Sequence, residues 1–484
     1  MTMTPNTTIP VESVVALLPE MIVAAFACLV LMFDLVLPKE RKDPLAWFSL
    51  AGVLLAGYAT WQLTDASMSV FAGTFAVDPY SNFFKIVFYV IVAMTIFLSR
   101  SYLKQDRIHL GEYYHFVLLV LVGMMMMVSA TDLITIYMGL ELVSVTLYIM
   151  AAMKRYESRS TEAGLKYFIL GSFSSAVLLY GMSIIYGVAG STNLDVIGAY
   201  VSEGAPNPAA TIGLILMVVG LAFKVAAAPF HMWAPDVYEG SPTPVTAFMS
   251  VGPKAAAFAV TLRVLLEAFG GMKADWEAIL IVVAVLTMVL GAVIALVQTS
   301  LKRMLAYSSI GHAGYALIGV IVGDALGTFA VMYYLAVYAV MNLGAFGMMI
   351  MLRNQGLAGE EIDDWKGLAR TKPWAALFML IFMFSLAGIP PTAGFISKFY
   401  IFMAAVNAGY IWLAIVGALL AAVSAYYYLR VIVVMYMKDP EVEHTLTLNK
   451  GMTLTLVFSM VLVILLGVYP EPLVDYAQSA ILNF

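Results

Sequence analysis

Long runs of apolar residues recur along almost the whole chain, separated by short polar segments. A helix needs about 20 such residues to cross the hydrocarbon core of a bilayer. Fourteen stretches are long enough to do so: 13–37, 44–63, 83–101, 113–130, 131–152, 163–190, 209–231, 242–270, 277–298, 303–322, 328–352, 374–403, 408–437 and 452–470. Continuous runs argue against a β-barrel, whose strands alternate apolar and polar positions over about 10 residues. The pattern predicts an all-α integral membrane protein.

Lysine and arginine test this topology, because the cytoplasmic loops of membrane proteins collect basic residues. If the predicted spans alternate in direction, one side of the membrane holds seventeen basic residues: Lys39, Arg41, Lys42, Arg100, Lys104, Arg107, Lys154, Arg155, Arg159, Lys302, Arg303, Arg353, Lys366, Arg370, Lys372, Lys438 and Lys450. The other side holds only Lys273. The asymmetry supports fourteen spans and predicts that both termini face the periplasm.

Composition excludes several classes of protein. Hydrophobic residues make up 62% of the chain and charged residues 11%, far from the values of a soluble enzyme, a disordered protein or a coiled coil. The formal net charge is −5 and there is no basic tract, so nucleic acid is not expected as a partner. Cys28 is the single cysteine, so the chain has no internal disulfide and cannot supply the thiolates of an ordinary iron–sulfur cluster.

Three lysines, Lys224, Lys254 and Lys398, lie well inside apolar runs. A lysine at the centre of a membrane helix costs about 2.5–3.5 kcal/mol even on the lenient insertion scale. Burial disfavours the charged ammonium, so such a lysine can take up and release a proton near neutral pH. We therefore expect all three to handle protons.

The other basic residues inside predicted spans have a simpler interpretation. Lys85, Arg263 and Arg430 lie nearer helix ends, and we expect them to be structural or to reach the membrane interface. Lys166 lies about one turn into its helix and is an intermediate case, which could be structural or could relay protons.

Glu141 is an acid deep in a predicted span with no other charge nearby in the sequence. A carboxylate beside a buried lysine stabilises the charged ammonium, and its withdrawal favours release of the proton. Glu141 could thus be a static counter-ion or a modulator, and both roles need the same geometry. His231 and His312 could relay protons, because imidazole titrates near physiological pH, or could be neutral and hydrogen-bonded.

Two predicted spans contain proline, at Pro229 in the seventh and at Pro390 and Pro391 in the twelfth. Proline removes a backbone donor and opens a helix, which a membrane tolerates only against protein or a water-filled cavity. Broken helices at corresponding positions of two halves are the usual pointer to a midplane ion pathway. We expect two inverted five-helix repeats, spans 4–8 and 9–13, each with its broken helix fourth.

This organisation divides the chain into four parts. Residues 1–112 form three N-terminal helices, 113–270 the first five-helix repeat, 277–437 the second inverted repeat, and 438–484 a polar loop and helix fourteen.

Three segments carry a family resemblance: FKVAAAPFHMWAPDVYEGSPTPV at 223–245, KRMLAYSSIGHAGY at 302–315 and SLAGIPPTAGFISKFY at 385–400. With them the chain resembles the antiporter-like membrane subunits of proton-pumping NADH:quinone oxidoreductase, respiratory complex I. The family pairs a fifth-span glutamate with a seventh-span lysine, matched here by Glu141 and Lys224. Its eighth-span and twelfth-span lysines match Lys254 and Lys398. One sister subunit has glutamate at this last position and another has a long C-terminal helix, so the chain departs from both.

The resemblance implies a proton-translocating subunit of an enzyme complex in the bacterial inner membrane. It implies that this chain holds no cofactor or metal, and that partner subunits, membrane and peripheral, carry the flavin, iron–sulfur clusters and quinone chemistry. A proton would pass from Lys224 across Lys254 and out past Lys398. The alternatives are a subunit of a multi-subunit cation/proton antiporter, which shares this fold, and a purely structural membrane subunit, which leaves the buried lysines unexplained.

Overall fold

The computed structural model describes residues 10–38, 41–106, 111–203, 207–352, 359–441, 446 and 449–481. The first helices are α1 Val11–Ala16, α2 Leu18–Val36, α3 Asp43–Gln62, α4 Pro79–Gln105, α5 Glu112–Ser129, α6 Leu133–Ala151, α7 Ser158–Ala189, α8 Leu194–Glu203, α9 Pro208–Lys224, α10 Trp233–Gly240, α11 Thr243–Met249 and α12 Gly252–Arg263. The others are α13 Lys273–Leu296, α14 Leu301–Val322, α15 Ala325–Leu352, α16 Leu368–Thr371, α17 Pro373–Ala387, α18 Ala393–Asn407, α19 Ile411–Met437, α20 Lys450–Val468 and α21 Glu471–Ser479. A π-helical turn follows α12 at Val264–Ala268, and 3-10 turns lie at Gly270–Met272 and Ile362–Trp365. Strands β1 Met68–Val70 and β2 Phe75–Val77 form an antiparallel hairpin.

Twelve helices of the described chain are long and apolar enough to cross a membrane. The two remaining predicted spans, 209–231 and 374–403, are the ones that contain the proline breaks. The first contains α9 and the break that leads to α10, and the second is divided between α17 and α18. The predicted all-α membrane fold is therefore confirmed. Twelve candidate spans, one of which comprises α11, α12 and the π-helical turn, and two shorter interrupted segments correspond to the fourteen predicted stretches. The predicted spans 113–130 and 131–152 are separate helices, α5 and α6. Asp132 caps α6, because its Oδ1 accepts the Ile134 N–H at 2.8 Å.

Ion pairs connect the loops that carry the basic residues. They join Lys42 to Asp34, Arg100 to Asp43, Lys154 to Asp106, Lys302 to Glu360, Lys366 to Glu441 and Arg370 to Asp439. Asp236, after α9, completes the connection because it pairs with both Lys166 and Arg303. These loops thus lie together at one end of the helix bundle. Lys39, Arg107 and Arg353 lie outside the described residues.

The opposite end of the bundle contains the β-hairpin. Thr131 N–H donates to Thr74 O of the hairpin at 3.1 Å, and Leu194 N–H donates to Thr131 O at 3.0 Å. Helix α1 contacts β1. The ring of Tyr476 in α21 packs on Phe83 near the start of α4, with centroids 5.3 Å apart. The first and last described helices therefore lie at the same end, away from the basic loops.

A backbone contact beside α6 recurs beside α14. Leu133 N–H, at the start of α6, donates to Thr192 O at 2.8 Å. Leu301 N–H, at the start of α14, donates to Glu360 O at 2.6 Å. Leu301 lies as many residues after Leu133 as Glu360 lies after Thr192. The adjoining backbone bridges, which join Asp132 to Asn193 and Ser300 to Glu361, repeat at that offset too.

The two helix breaks also share their backbone pattern. Ala226 in the first and Gly388 in the second are left-handed, with φ of 58° and 84°. In both, the next residue donates its N–H to a carbonyl of the preceding helical turn: Ala227 to Ala222 at 2.8 Å and Ile389 to Phe384 at 3.0 Å. In all three equivalent pairs, the residue of the second break lies the same number of residues after its counterpart in the first. The break therefore interrupts the same turn in both segments, and its backbone donors are satisfied within the protein.

Candidate functional site

Lys224 is the last residue of α9, immediately before the first break. Its Nζ donates to Ser144 Oγ at 2.9 Å and to Ser175 Oγ at 3.0 Å. Ser144 donates onward to Leu140 O at 2.8 Å. A cation at the C-terminus of a helix is favoured by the aligned backbone dipoles. The side chain therefore joins α6, α7 and α9 and is held by hydroxyl groups.

Glu141 lies one helical turn before Ser144 on α6. It is half-buried, and its Oε1 is a buried atom without a hydrogen-bond partner. The carboxylate acts electrostatically on Lys224, yet the two side chains do not form a direct ion pair. The predicted partners are thus neighbours, and the ammonium is bound to serine hydroxyls rather than to the carboxylate.

Lys254 lies on α12 and is 3% exposed. Its Nζ donates to both oxygen atoms of Ser309 on α14, to Oγ at 2.5 Å and to the carbonyl at 3.1 Å. The ammonium also lies 5.7 Å from the ring centroid of Tyr238. No carboxylate among the described residues pairs with Lys254, which leaves Ser309 as its polar support.

His312 lies one turn beyond Ser309 on α14 and is 3% exposed. Its Nδ1 is 2.6 Å from the Tyr334 hydroxyl and its Nε2 is 3.1 Å from the Tyr428 hydroxyl. The ring acts electrostatically with both Lys254 and Lys398. The structure therefore places His312 between the second and third buried lysines.

Lys398 lies on α18 after the second break, and its Nζ donates to Leu386 O and Ala387 O, each at 2.9 Å. These are the last two residues of α17, so the ammonium caps the negative end of that helix. Tyr315 lies below it, with 5.2 Å from Nζ to the ring centroid. Leu386 is the residue of the second break that corresponds in sequence to Lys224 in the first. The Lys398 ammonium thus contacts the residue of the second break that corresponds to Lys224 in the first.

Lys166 and His231 are placed differently. Lys166 pairs with Glu162 and with Asp236, both at 2.8 Å, and its side chain is 42% exposed at the end with the basic loops. His231 lies in the first break, with a buried Nδ1 that has no hydrogen-bond partner. Among the described contacts, none joins either residue to the three buried lysines.

Lys85, Arg263 and Arg430 were expected to be structural or to reach the membrane interface, and Lys85 and Arg263 are buried, at 0% and 2% exposure. Each of the three cations has a partner inside the protein: Glu20 for Lys85 at 2.7 Å, Asp78 for Arg263 at 2.7 Å and Leu296 O for Arg430 at 3.0 Å. Their role is structural, as expected, but it is exerted through internal pairing. Glu20 is thus a second deeply buried acid, and its lysine lies two helices away in the sequence.

The supporting hydroxyl groups were missed from the sequence. They belong to Ser144, Ser175, Ser309, Tyr334 and Tyr428. Spacing offered a partial signal, since Glu141 with Ser144 and Ser309 with His312 are each one helical turn apart and share a helix face. The described residues contain no group of three His, Cys, Asp or Glu side chains that could hold a metal ion.

Buried lysines beside two broken helices in a bundle of membrane-spanning helices define an ion-translocating membrane protein of the antiporter-like class. A family model described as NADH:quinone oxidoreductase/Mrp antiporter matches residues 130–424. NADH-quinone oxidoreductase subunit N of Trichlorobacter lovleyi is 47% identical over 96% of both chains. The chain therefore belongs to the NADH-quinone oxidoreductase subunit N family.

Solved structures have the same fold. A chain of respiratory complex I from Thermus thermophilus, with bound aureothin, is 34% identical and covers 94% of this chain and 98% of its own, with a TM-score of 0.81. A chain of the Mrp complex from Dietzia sp. is 20% identical, with 97% coverage of both chains and a TM-score of 0.84. The second likeness concerns the fold alone. The predicted family is confirmed, and the fold is common to both groups.

Proposed function

We propose that this chain is a proton-translocating membrane subunit of NADH:quinone oxidoreductase. The observation that carries the proposal is the series of three buried lysines, each held by hydroxyl or carbonyl oxygens rather than by a direct carboxylate partner. Such an ammonium can lose its proton without leaving an unpaired buried carboxylate. Membership of the subunit N family supplies the complex in which it would act.

The proton route we propose runs through Lys224, Lys254 and Lys398. His312 lies between the last two and is the best-placed relay, because both ring nitrogens already contact hydroxyl groups. Glu141 modulates Lys224: approach of the carboxylate holds the proton on the lysine, and withdrawal releases it. Lys166 and His231 stay predicted relays that no described contact connects to this route.

The two five-helix units are part of the proposal. The first comprises α5 to α12 and the second α13 to α19, so each has its broken helix fourth. The matched backbone bonds beside α6 and α14, and at the two breaks, support this division. Residues 1–112 and 438–484 would flank the two units.

The chemistry of electron transfer is assigned to partners. Other subunits of the complex would bind NADH, flavin, iron–sulfur clusters and quinone, and this chain would hold no cofactor or metal of its own. The bacterial inner membrane is the proposed location, with the basic loops in the cytoplasm and both termini in the periplasm. The common position of those loops at one end of the bundle supports this orientation.

The alternative function is ion exchange in a multi-subunit cation/proton antiporter. The fold does not separate the two functions, because both groups share it. The separating experiment is gentle solubilisation of native membranes, resolution of the intact complexes, and detection of this chain beside NADH:ferricyanide reductase activity. Co-migration is the expected result. Migration in a smaller assembly without that activity would favour the antiporter.

A further inference from the structure

A series of aromatic contacts connects the first two buried lysines. The Lys224 ammonium lies 5.9 Å from the ring centroid of Phe223, and the Lys254 ammonium lies 5.7 Å from that of Tyr238. Trp233 stands between these rings, at 5.5 Å from Phe223 and 5.8 Å from Tyr238. The three rings, which we call the aromatic bridge, run from one ammonium to the other.

Trp233 is fixed within this bridge. It is 3% exposed, and its Nε1–H donates to Phe223 O at 3.1 Å. Its ring also stacks on Tyr167, with centroids 4.5 Å apart and planes 6° from parallel. Its single donor is therefore occupied by a backbone carbonyl, and the ring offers no other group to a hydrogen-bonded chain.

The short helix α10 also carries an ionic group, one helical turn after Trp233. This group, Asp236, pairs with Lys166 of the first unit at 2.8 Å and with Arg303 of the second at 3.1 Å. These groups line an open cleft of about 240 Å³ at the end with the basic loops. One short helix thus carries a buried tryptophan and, one turn later, an aspartate that pairs with both units.

We propose that Trp233 is a gate between Lys224 and Lys254, and this inference rests on the proposed proton-translocating function. A proton that leaves the Lys224 ammonium and arrives on the neutral Lys254 amine needs a chain of water or hydroxyl groups between them. The aromatic bridge interrupts that chain. The Trp233 ring must therefore move aside for forward transfer and return to prevent backflow, and Asp236 holds α10 in the closed position. Trp233 acts by position, as it exchanges no proton.

The test uses the intact complex in sealed vesicles, with NADH oxidation and proton uptake recorded together. Trp233→Leu removes the ring, and Trp233→Phe keeps an aromatic face as the matched control. We expect Trp233→Leu to retain NADH oxidation while its proton-to-electron ratio falls about twofold or more, because the open gate permits return of the proton. Trp233→Phe should pump close to the unmodified ratio. A purely structural role would lower both rates together and leave their ratio unchanged.

Lys224→Ala in the same vesicles separates the two proposals. An unchanged ratio in Lys224→Ala would overturn the proposed function itself. A lowered ratio in Lys224→Ala with an unchanged ratio in Trp233→Leu would overturn only the gate. If Trp233→Leu does not assemble, Phe223→Leu opens the same bridge beside Lys224, and a lowered ratio there supports the gate while an unchanged ratio overturns it.

Discussion

The ammonium of Lys398 donates a 2.9 Å hydrogen bond to the carbonyl of Leu386, across the second helix break. Leu386 corresponds in the second unit to Lys224 in the first, given the common sequence offset between the two breaks. The protein therefore places the Lys398 ammonium at the C-terminal end of the second interrupted helix, beside the residue that corresponds to Lys224. A cation at that position is stabilised by the helix dipole and can still release its proton.

Gly388 makes the Lys398 position possible. Its φ is +84°, and an added Cβ would lie 2.9 Å from Lys398 Cδ and 3.2 Å from Nζ. Gly388→Ala should therefore strain the backbone by about 1 kcal/mol and displace the ammonium from the two carbonyl groups. We expect a large loss of proton pumping in reconstituted vesicles.

Gly409→Ala is the matched control for this variant. Gly409 has a φ of +89°, but nothing lies within 4 Å of an added Cβ. Its backbone strain is similar and it does not contact a lysine. Equal pumping losses in the two variants would show that strain alone, and not the position of Lys398, causes the defect.

Glu141→Gln should leave the complex assembled. It should lower the turnover of the complex no more than loss of Lys224 does. The amide has the same shape, and the carboxylate already lacks a direct ion pair with the lysine. Pumping and native gel migration give the two readouts. If the variant fails to assemble, Glu141 is a static counter-ion instead of a modulator.

His312 and His231 provide a contrast between two buried histidines. His312→Phe removes the group that contacts Tyr334 and Tyr428, so proton pumping should fall severalfold. His231→Phe should have a much smaller effect, because no described contact connects that ring to the buried lysines. Comparison of pumping rates at equal amounts of assembled complex tests this order. The reverse order would place the relay in the first break.

The buried pair of Glu20 and Lys85 should affect stability rather than pumping. Lys85→Met leaves a buried carboxylate unpaired, which costs about 3–5 kcal/mol. Replacing Glu20 by Leu in the same chain should restore most of the loss, as measured by thermal inactivation of the solubilised complex. A lowered proton-to-electron ratio in the stable double variant would instead assign this pair a part in translocation.

The fold was largely predictable because membrane spans leave a strong apolar signal. Alternating basic loops supported the count, and Pro229 and Pro390 marked the two segments that fall outside the twelve long candidate spans. The short elements were not predictable in this way. The β-hairpin and α10 are too short to give a membrane-span signal, and their positions depend on contacts with distant segments such as Thr131 and Tyr167.

The candidate site was predictable in its charges and not in their partners. A deep lysine stands out in an apolar run, whereas a serine such as Ser175 or Ser309 is common in membrane helices and carries no distinct signal. Pairing across helices was also hidden, since Glu20 and Lys85 pair in space but lie on helices that are far apart in sequence. The proximity of Glu141 and Lys224 was predicted from the family resemblance. The structure adds that serine hydroxyl groups accept hydrogen bonds from the Lys224 ammonium.

Lys254 tests the central claim most directly, because it is the middle lysine and its polar support is a single serine. The measurement is the proton-to-electron ratio of the reconstituted complex with Lys254→Met, compared with Lys366→Met, a change to a loop lysine that pairs with Glu441. We predict that Lys254→Met abolishes the share of pumping that belongs to this subunit and that Lys366→Met leaves the ratio unchanged. An unchanged ratio in fully assembled Lys254→Met would contradict proton transfer through the buried lysines.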